Sequence, residues 1–448
     1  MRFSSGLAFL LLAVAACGGD DGPADPTLVP GGGARDPGIG DTIHVYAIDT
    51  DTDLPIVGAT VMAGDQMGTT DATGLATLTG VSGPLTVAAK AAGYATQVWV
   101  GVDSQNVTLN LDPVGTGTTE PPKAELAGTI TGWDALPAPA AGHATLAFVT
   151  YTQDPDIGAE GNNLSPPANN SNICIKAPPP APAQPCAWRI NSRVGQVMAY
   201  AIIADIDQRG TPGDGTDDTF TITGYATSAV LTVAANTPQT GIQLTQLAAG
   251  STTTVQPDLG TPPAALTNRI AVVGVDVGAA GVLRVPPFPN APTGVVLPSL
   301  SAIAGSTYEF LALAGEPGDE DLAAQSIVRR RGLTSASSIA AGEWMLPPSA
   351  LSSDRTTASF APAAGAVVHV IEFDSSSGSG TDNRAMGILL LDGSTTVTLP
   401  VAFSPLPSGS LTYGVVAIEA PGFDPQAFVI DDLTDDVSRL SNETIRLP

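Results

Sequence analysis

Positive charge is the scarcest property of this chain. Only three lysines, Lys90, Lys123 and Lys176, occur in 448 residues, and the net charge is −26. Gripping phosphates requires clustered Lys and Arg to displace counterions. The one basic run, Arg329-Arg330-Arg331, sits in an acidic neighbourhood, so the chain fails the basic-patch test for nucleic-acid binding. Histidine is as sparse: His44, His143 and His369. A zinc peptidase needs three protein ligands and an open position. One H-x-x-E occurs, His369 to Glu372, but it lies in AVVHVIEFD, a strand pattern, and no His follows it. Residues three apart on a strand point to opposite faces. Three histidines also leave little for a Ser-His-Asp triad. No Lys follows a Gly and no G-x-S-x-G occurs, which removes the phosphate-binding loop and the nucleophile elbow. Aromatics are 5%, and Trp99, Trp133, Trp188 and Trp344 fall in or beside strand patterns, which assigns them to cores.

What is abundant is apolar residues (43%), Gly (49) and Pro (39), against only 13% charged. Such a chain can bury cores, and it suits short strands joined by turns rather than long salt-bridged helices. The length allows about three domains of roughly 100–200 residues. The excess of carboxylates serves solubility and self-repulsion outside the cell.

The chain opens MRFSSGLAFLLLAVAACGGDDG. After Arg2, the apolar stretch from Leu7 to Ala16 is too short to span a bilayer. It ends in Val14-Ala15-Ala16-Cys17, which resembles the lipobox of bacterial lipoproteins. The resemblance implies a signal peptide over 1–16, lipid on Cys17, and anchoring in a bilayer. Gly18 rather than Asp then points to the outer membrane. Residues 17–41 read as a flexible Gly/Pro/Asp tether.

With Cys17 taken, Cys174 and Cys186 remain, bracketing CIKAPPPAPAQPC. In an oxidising compartment an even pair usually bridges, and two lone thiols are poor metal ligands.

Residues 42–112 alternate as strands: TIHVYAIDT, LPIVGATVMAG, GTTDATGLATLTGV, GPLTVAAKAAGYATQVWV and NVTLNLDP, bounded by Gly, Pro and Asp. In the third, the Asp71 side chain can start a turn and Gly74 can take positive φ, which makes the pair a structural corner. Several motifs appear in order: Pro55-Ile56-Val57-Gly58-Ala59-Thr60-Val61, Thr70-Asp71-Ala72-Thr73-Gly74, Gly83-Pro84-Leu85-Thr86-Val87 and Ala92-Gly93-Tyr94. Together they resemble the carboxypeptidase regulatory-like domain. The resemblance implies a transthyretin-like antiparallel β-sandwich of about seven strands, a carbohydrate-binding-like fold of which some members bind glycans.

The linker 113–123 leads to a second strand-rich stretch, 124–250, read as a second sandwich with an insert over 154–187. Residues 250–263 look like a loop-rich join, and 268–448 like one or two further sandwiches. GQVMAYAIIA, GSTYEFLALA and GSLTYGVVAI place Tyr200, Tyr308 and Tyr413 at intervals of about 100 residues, as tandem modules would. Residues 318–356 could carry a short helix. The fold class expected is all-β: tandem antiparallel β-sandwich modules after a lipidated tether.

The loop DIDQRGTPGDGTDD supplies Asp205, Asp207, Asp214, Asp217 and Asp218. Calcium takes six to eight oxygens in a flexible loop. The composition also makes a solvated hairpin loop, and both readings stay open; no cofactor is required. The expected function is a non-enzymatic outer-membrane lipoprotein presenting sandwich loops to an envelope protein or glycan. The alternative is a periplasm-facing scaffold, ahead of an enzyme of unrecognised class.

Overall fold

A computed structural model describes residues 26–447 except 115–120, 156–161, 163, 179–184, 211–216, 286–293, 319–321, 336, 377–381, 404–405, 407–408, 431–432 and 434–435. Cys17 and Asp214 therefore lie outside the described residues. The protein is all-β. In the N-terminal region the strands are β1 (Gly33–Gly38), β2 (Thr42–Asp49), β3 (Thr60–Ala63), β4 (Gln66–Thr69), β5 (Leu75–Thr79), β6 (Leu85–Lys90), β7 (Thr96–Val102) and β8 (Ser104–Leu111). The second region holds β9 (Lys123–Thr131), β10 (His143–Tyr151), β11 (Ile173–Lys176), β12 (Ala187–Arg193), β13 (Gly195–Asp207), β14 (Thr219–Val233) and β15 (Gln239–Gln246). Then come β16 (Thr252–Asp258), β17 (Asn268–Asp276), β18 (Val282–Arg284), β19 (Val295–Pro298), β20 (Thr307–Gly315), β21 (Gln325–Leu333) and β22 (Ser338–Ala340). The last are β23 (Ser349–Ser353), β24 (Thr357–Ala361), β25 (Val368–Ser376), β26 (Asp382–Leu390), β27 (Thr396–Thr398), β28 (Leu411–Glu419), β29 (Phe428–Val429) and β30 (Arg439–Leu447).

A twelve-stranded sheet, β18-β17-β20-β21-β30-β28-β25-β26-β7-β6-β3-β4, runs through the molecule. The sheet β29-β1-β8-β2-β5 covers one face, enclosing Ile43, Val45, Trp99, Leu109, Val416, Ile418 and Phe428. The small sheet β23-β24-β27 covers the other, enclosing Val98, Phe360, Phe373, Ile388 and Tyr413. Strands buried on both faces lose their alternation. β28 (LTYGVVAIE) is one: Tyr413 and Val415 face one core, Val416 and Ile418 the other. β5 (LATLT), open on one face, keeps the alternation.

The modules are not beads on a string. β7 pairs β26 in parallel, and β1 pairs β29, so both sheets of the first sandwich take a strand from the last 70 or so residues. Four expectations change here. The tether over 17–41 is shorter, because 33–38 is a strand and Val29 is buried. The side chains of Asn106 and Thr108 draw it in, accepting the N–H groups of Thr27 (3.0 Å) and Val29 (2.9 Å). And 318–356 holds strands β21 and β22 where a helix was considered. Residues 252–258, expected as a join, are β16, and the supposed insert 154–187 contributes β11. The sandwiches are mostly antiparallel, but β2–β8 and β9–β15 run parallel.

The second sheet, β11-β10-β13-β14-β15-β9-β12, curls until its two edges meet. Ser171 and Arg189 exchange two backbone hydrogen bonds across that seam, 3.2 and 3.0 Å. The Cys174–Cys186 disulfide crosses the same seam, with both residues buried in the interior beside Trp188 and Ala147. Both thiols should resist alkylation in the native protein until reductant and denaturant are added. Cys174→Ser with Cys186→Ser should lower stability by ~3 kcal/mol in the chain-entropy model; free thiols in untreated protein would refute the bridge.

The three repeated tyrosines occupy one kind of place. Tyr200, Tyr308 and Tyr413 lie on β13, β20 and β28, each flanked by strands on both sides. Their hydroxyls donate to the carbonyls of Arg284, Pro298 and Ser359 at 2.6, 3.3 and 3.1 Å. Burial raises the pKa of all three phenols.

Candidate functional site

Strand registers bring the ends of β11 and β13 to one end of the second module. His143 opposes Asp207 and Asp207 opposes Thr219, while Thr145 opposes Lys176. Lys176 and Asp207 therefore stand on opposite sides of the start of β10. Asp205 and Asp207, two apart on β13, share the face that carries Val197, Ala199, Ala201 and Ile203 into the core. They are its polar continuation at the mouth.

Both carboxylates have basic neighbours. Asp205 Oδ2 meets His143 Nδ1 at 2.8 Å. Asp207 Oδ1 accepts the Arg209 N–H at 3.0 Å, and Oδ2 lies 3.5 Å from Arg209 Nε, which itself donates to Thr219 Oγ1. Asp217 and Asp218 also make interactions within the chain. Lys176 Nζ donates to the carbonyls of Trp133, Asp134 and Leu136, pinning the turn after β9. Among the described residues no group of three or more His, Cys, Asp or Glu is arranged to hold a metal ion. His143 and Lys176 were not singled out from the sequence; only strand register places them here.

A second polar end belongs to the first module. Asp71 Oδ1 accepts from the N–H groups of Thr73 (2.8 Å) and Leu75 (3.1 Å) and from the Thr73 hydroxyl (2.6 Å). These bonds hold its carboxyl below its ordinary pKa. Gly74 has φ of 77°, and a Cβ there would lie 2.9 Å from the Ala47 carbonyl. The pair thus forms a tight structural corner. Beside it Asp49, Asp51 and Asp53 alternate along DTDTD. Tyr94 donates to Asp49 Oδ2 at 2.7 Å, which pushes its phenol up to about 12. Asp51 and Asp53 are raised, chiefly by burial and then by the charge of Asp49.

The fold consumes the remaining chemistry. His369 is buried against Phe360, on the face opposite Glu372, whose Oε1 accepts from Arg384 at 2.6 Å. Arg384 also binds Asp112 of the first module at 2.7 Å. The basic run splits three ways. Arg329 turns inward to Glu309 (2.7 Å), Arg330 donates to the Ala340 carbonyl, and Arg331 pairs with Asp276. Trp99, Trp133 and Trp188 are buried, and Trp344 donates to the Leu259 carbonyl at 2.8 Å.

One pair gives a pH test. The Arg439 guanidinium, followed by the Ser438 hydroxyl, holds the Glu419 carboxyl below its ordinary value despite partial burial. A depressed carboxyl contributes stability that is complete above the ordinary Glu value, about 4.3, and is lost as pH falls through the lowered one. Glu419→Gln should therefore lower Tm at pH 7 and leave it unchanged near pH 2. An equal loss at both values would mean packing, not charge.

No family model matches the chain, and no curated protein matches it. Among solved structures, the shaft pilin SpaA from Lactobacillus rhamnosus GG is similar at 12% identity and a TM-score of 0.13, covering 46% of this chain and 97% of that one. A single-site mutant of that pilin aligns at 11% identity and a TM-score of 0.14, with the same coverage. Scores this low carry no argument about this protein.

Proposed function

We propose that this protein is a non-enzymatic lipoprotein of the outer membrane whose β-sandwich body presents loops to an envelope protein or glycan. The observation that carries the reading is the place of the N-terminal segment. Thr27 and Val29 are pinned onto β8, and β1 is built into the sheet. Lipid on Cys17 would then hold the body by only the nine residues 18–26, a reach of about 30 Å at ~3.3–3.6 Å each. The net charge of −26, with 43 Asp and Glu against 17 Lys and Arg, supports a binding or structural role that uses a strongly acidic body. Replacing Cys17 by Ser should release the protein from the membrane fraction. Protease treatment of intact cells distinguishes the faces: digestion means display at the surface, protection means a periplasmic scaffold.

Calcium at the Asp205–Asp218 loop belongs to the same proposal. Chelation should lower Tm, and Asp205→Ala with Asp207→Ala should abolish that response. An unchanged Tm would leave both carboxylates to His143 and Arg209 alone. Binding to an array of envelope glycans, with calcium and with chelator, then tests the ligand class.

A further inference from the structure

The chain enters the body at one end of the first module. Thr27 lies at Asn106 and Val29 at Thr108, so the segment runs along β8 toward Asn110 before β1 turns back to Ser104. Thr27, near the start of the described chain, therefore lies nearer the Ser104 end than Val29 does. The opposite end carries the loops 50–58, 71–74 and 91–95 and the turn after β8, held together by backbone bonds from Gly58 to Thr70, Ala47 to Gly74 and Ala95 to Asp112. On the lipoprotein reading, on which this placement rests, that end points away from the bilayer.

Two large aliphatic side chains stand in water there. Leu54 is 63% and Val57 64% exposed, the most exposed large apolar residues among those described. Pro55 between them is exposed too and lies against the Gly74 corner. The corner is fixed by Asp71 and Gly74 and its neighbours by Asp49, so the aliphatic pair rides on a shaped, hydrogen-bonded platform. Two aliphatic side chains three apart on one rigid loop offer a small apolar contact surface, and loops held by a rigid scaffold are where binding surfaces form. The platform is ringed by Asp49, Asp51, Asp53 and Asp71, and the only guanidinium described beside it, Arg384, is already committed to Asp112 and Glu372. Asp51 and Asp53 are partly desolvated and repel one another's neighbour Asp49. A cation brought among them would relieve that repulsion, whereas an anionic surface such as a polysaccharide phosphate would be driven off.

We infer that the Leu54–Val57 loop end of the first module is a docking surface for a cationic, apolar peptide segment of another envelope protein. Aliphatic side chains of the partner would cover Leu54 and Val57, and its Lys or Arg residues would face the ring of carboxylates. Such a contact is charge-assisted, so it forms quickly and weakens with salt.

The test uses the full exported chain carrying Cys17→Ser, which keeps the body and removes only the lipid attachment. The probes are a 14-residue amphipathic Lys/Leu peptide and its Glu/Leu counterpart, followed by calorimetry. The Lys/Leu peptide should bind, and the Glu/Leu peptide should not. Leu54→Ser with Val57→Ser should weaken binding at least tenfold with no change in Tm. The control pair Ile173→Ser with Ile175→Ser, aliphatics on β11 that are 50% and 59% exposed, should leave it unchanged. Equal loss in both pairs, or loss in neither, would mean adhesion to the acidic surface at large and would overturn the proposal. Because these measurements need no lipid, they can fail while Cys17 lipidation stands, and the reverse.

Discussion

Phe428→Ala should loosen the first sandwich, more than 300 residues away in sequence. Phe428 is buried, with its ring 5.4 Å from Trp99 and 5.2 Å from Phe423, in the core that also holds Ile43, Val45 and Leu109. Its strand, β29, extends the sheet beyond β1. Removing a buried Phe side chain costs about 3–5 kcal/mol. Hydrogen exchange would locate the loss: amides of β2 and β8 should lose protection together with those of β28 and β30. If exchange rises only in the C-terminal strands, the two regions fold independently and the shared core is not a cooperative unit. Gly33→Ala is a companion probe. Its φ is +148°, and a Cβ there would collide with the Phe428 carbonyl, so the β1–β29 seam should open by a different physical cause.

Glu309→Ala should be as damaging, for an electrostatic reason. Glu309 is 2% exposed on β20. Its Oε1 meets Arg329 Nε at 2.7 Å, and Oε2 lies 3.4 Å from Arg284 Nη2. The same two arginines donate to the Pro155 carbonyl, at 2.6 and 3.2 Å, so the cluster ties the second module to the third. Breaking a buried pair by removing one partner costs about 3–5 kcal/mol, because a charge stays buried without compensation. Replacing the whole cluster should cost far less: Glu309→Leu, Arg284→Met and Arg329→Met together leave no charge to strand. Urea unfolding of the single and triple variants decides it. A triple variant no better than Glu309→Ala would mean that the cost lies in lost contacts to Pro155.

Strand identity was readable where one face meets water. LATLT alternates and is β5; TIHVYAID lies in a strand bounded by the turn residues around it. The three repeated tyrosines share a role, since each lies on an interior strand and donates to a carbonyl, but Tyr308 and Tyr413 fall in one sheet, so the repeat does not count sheets. The Asp71–Gly74 corner was legible because its cause is local: one carboxylate, two nearby N–H groups and one positive φ. Module boundaries were not, because they depend on which edges pair. Nothing in QVWV announces that β7 will join β26, and nothing in a Gly-rich stretch announces that Ala34 will be buried by Phe428. Such pairings join residues hundreds of positions apart and leave no period in either segment. The candidate loops followed the same rule. DIDQRGTPGDGTDD advertised its carboxylates, but the His143 that meets Asp205 came from a different strand, brought in by register.

The β1–β29 pairing also constrains the order in which this molecule can come into being. β1, at the start of the first sandwich, is completed by Phe428 and Val429 of β29. A chain made amino end first exposes its Ala34, Val45 and Leu109 side chains long before Phe428 is there to cover them. Closing so large a loop is slow compared with forming a local hairpin. The nascent first sandwich is thus an open half-shell until Phe428 has been made. β1 gains its second neighbour only with β29, so a product truncated before Phe428 would be left unsealed.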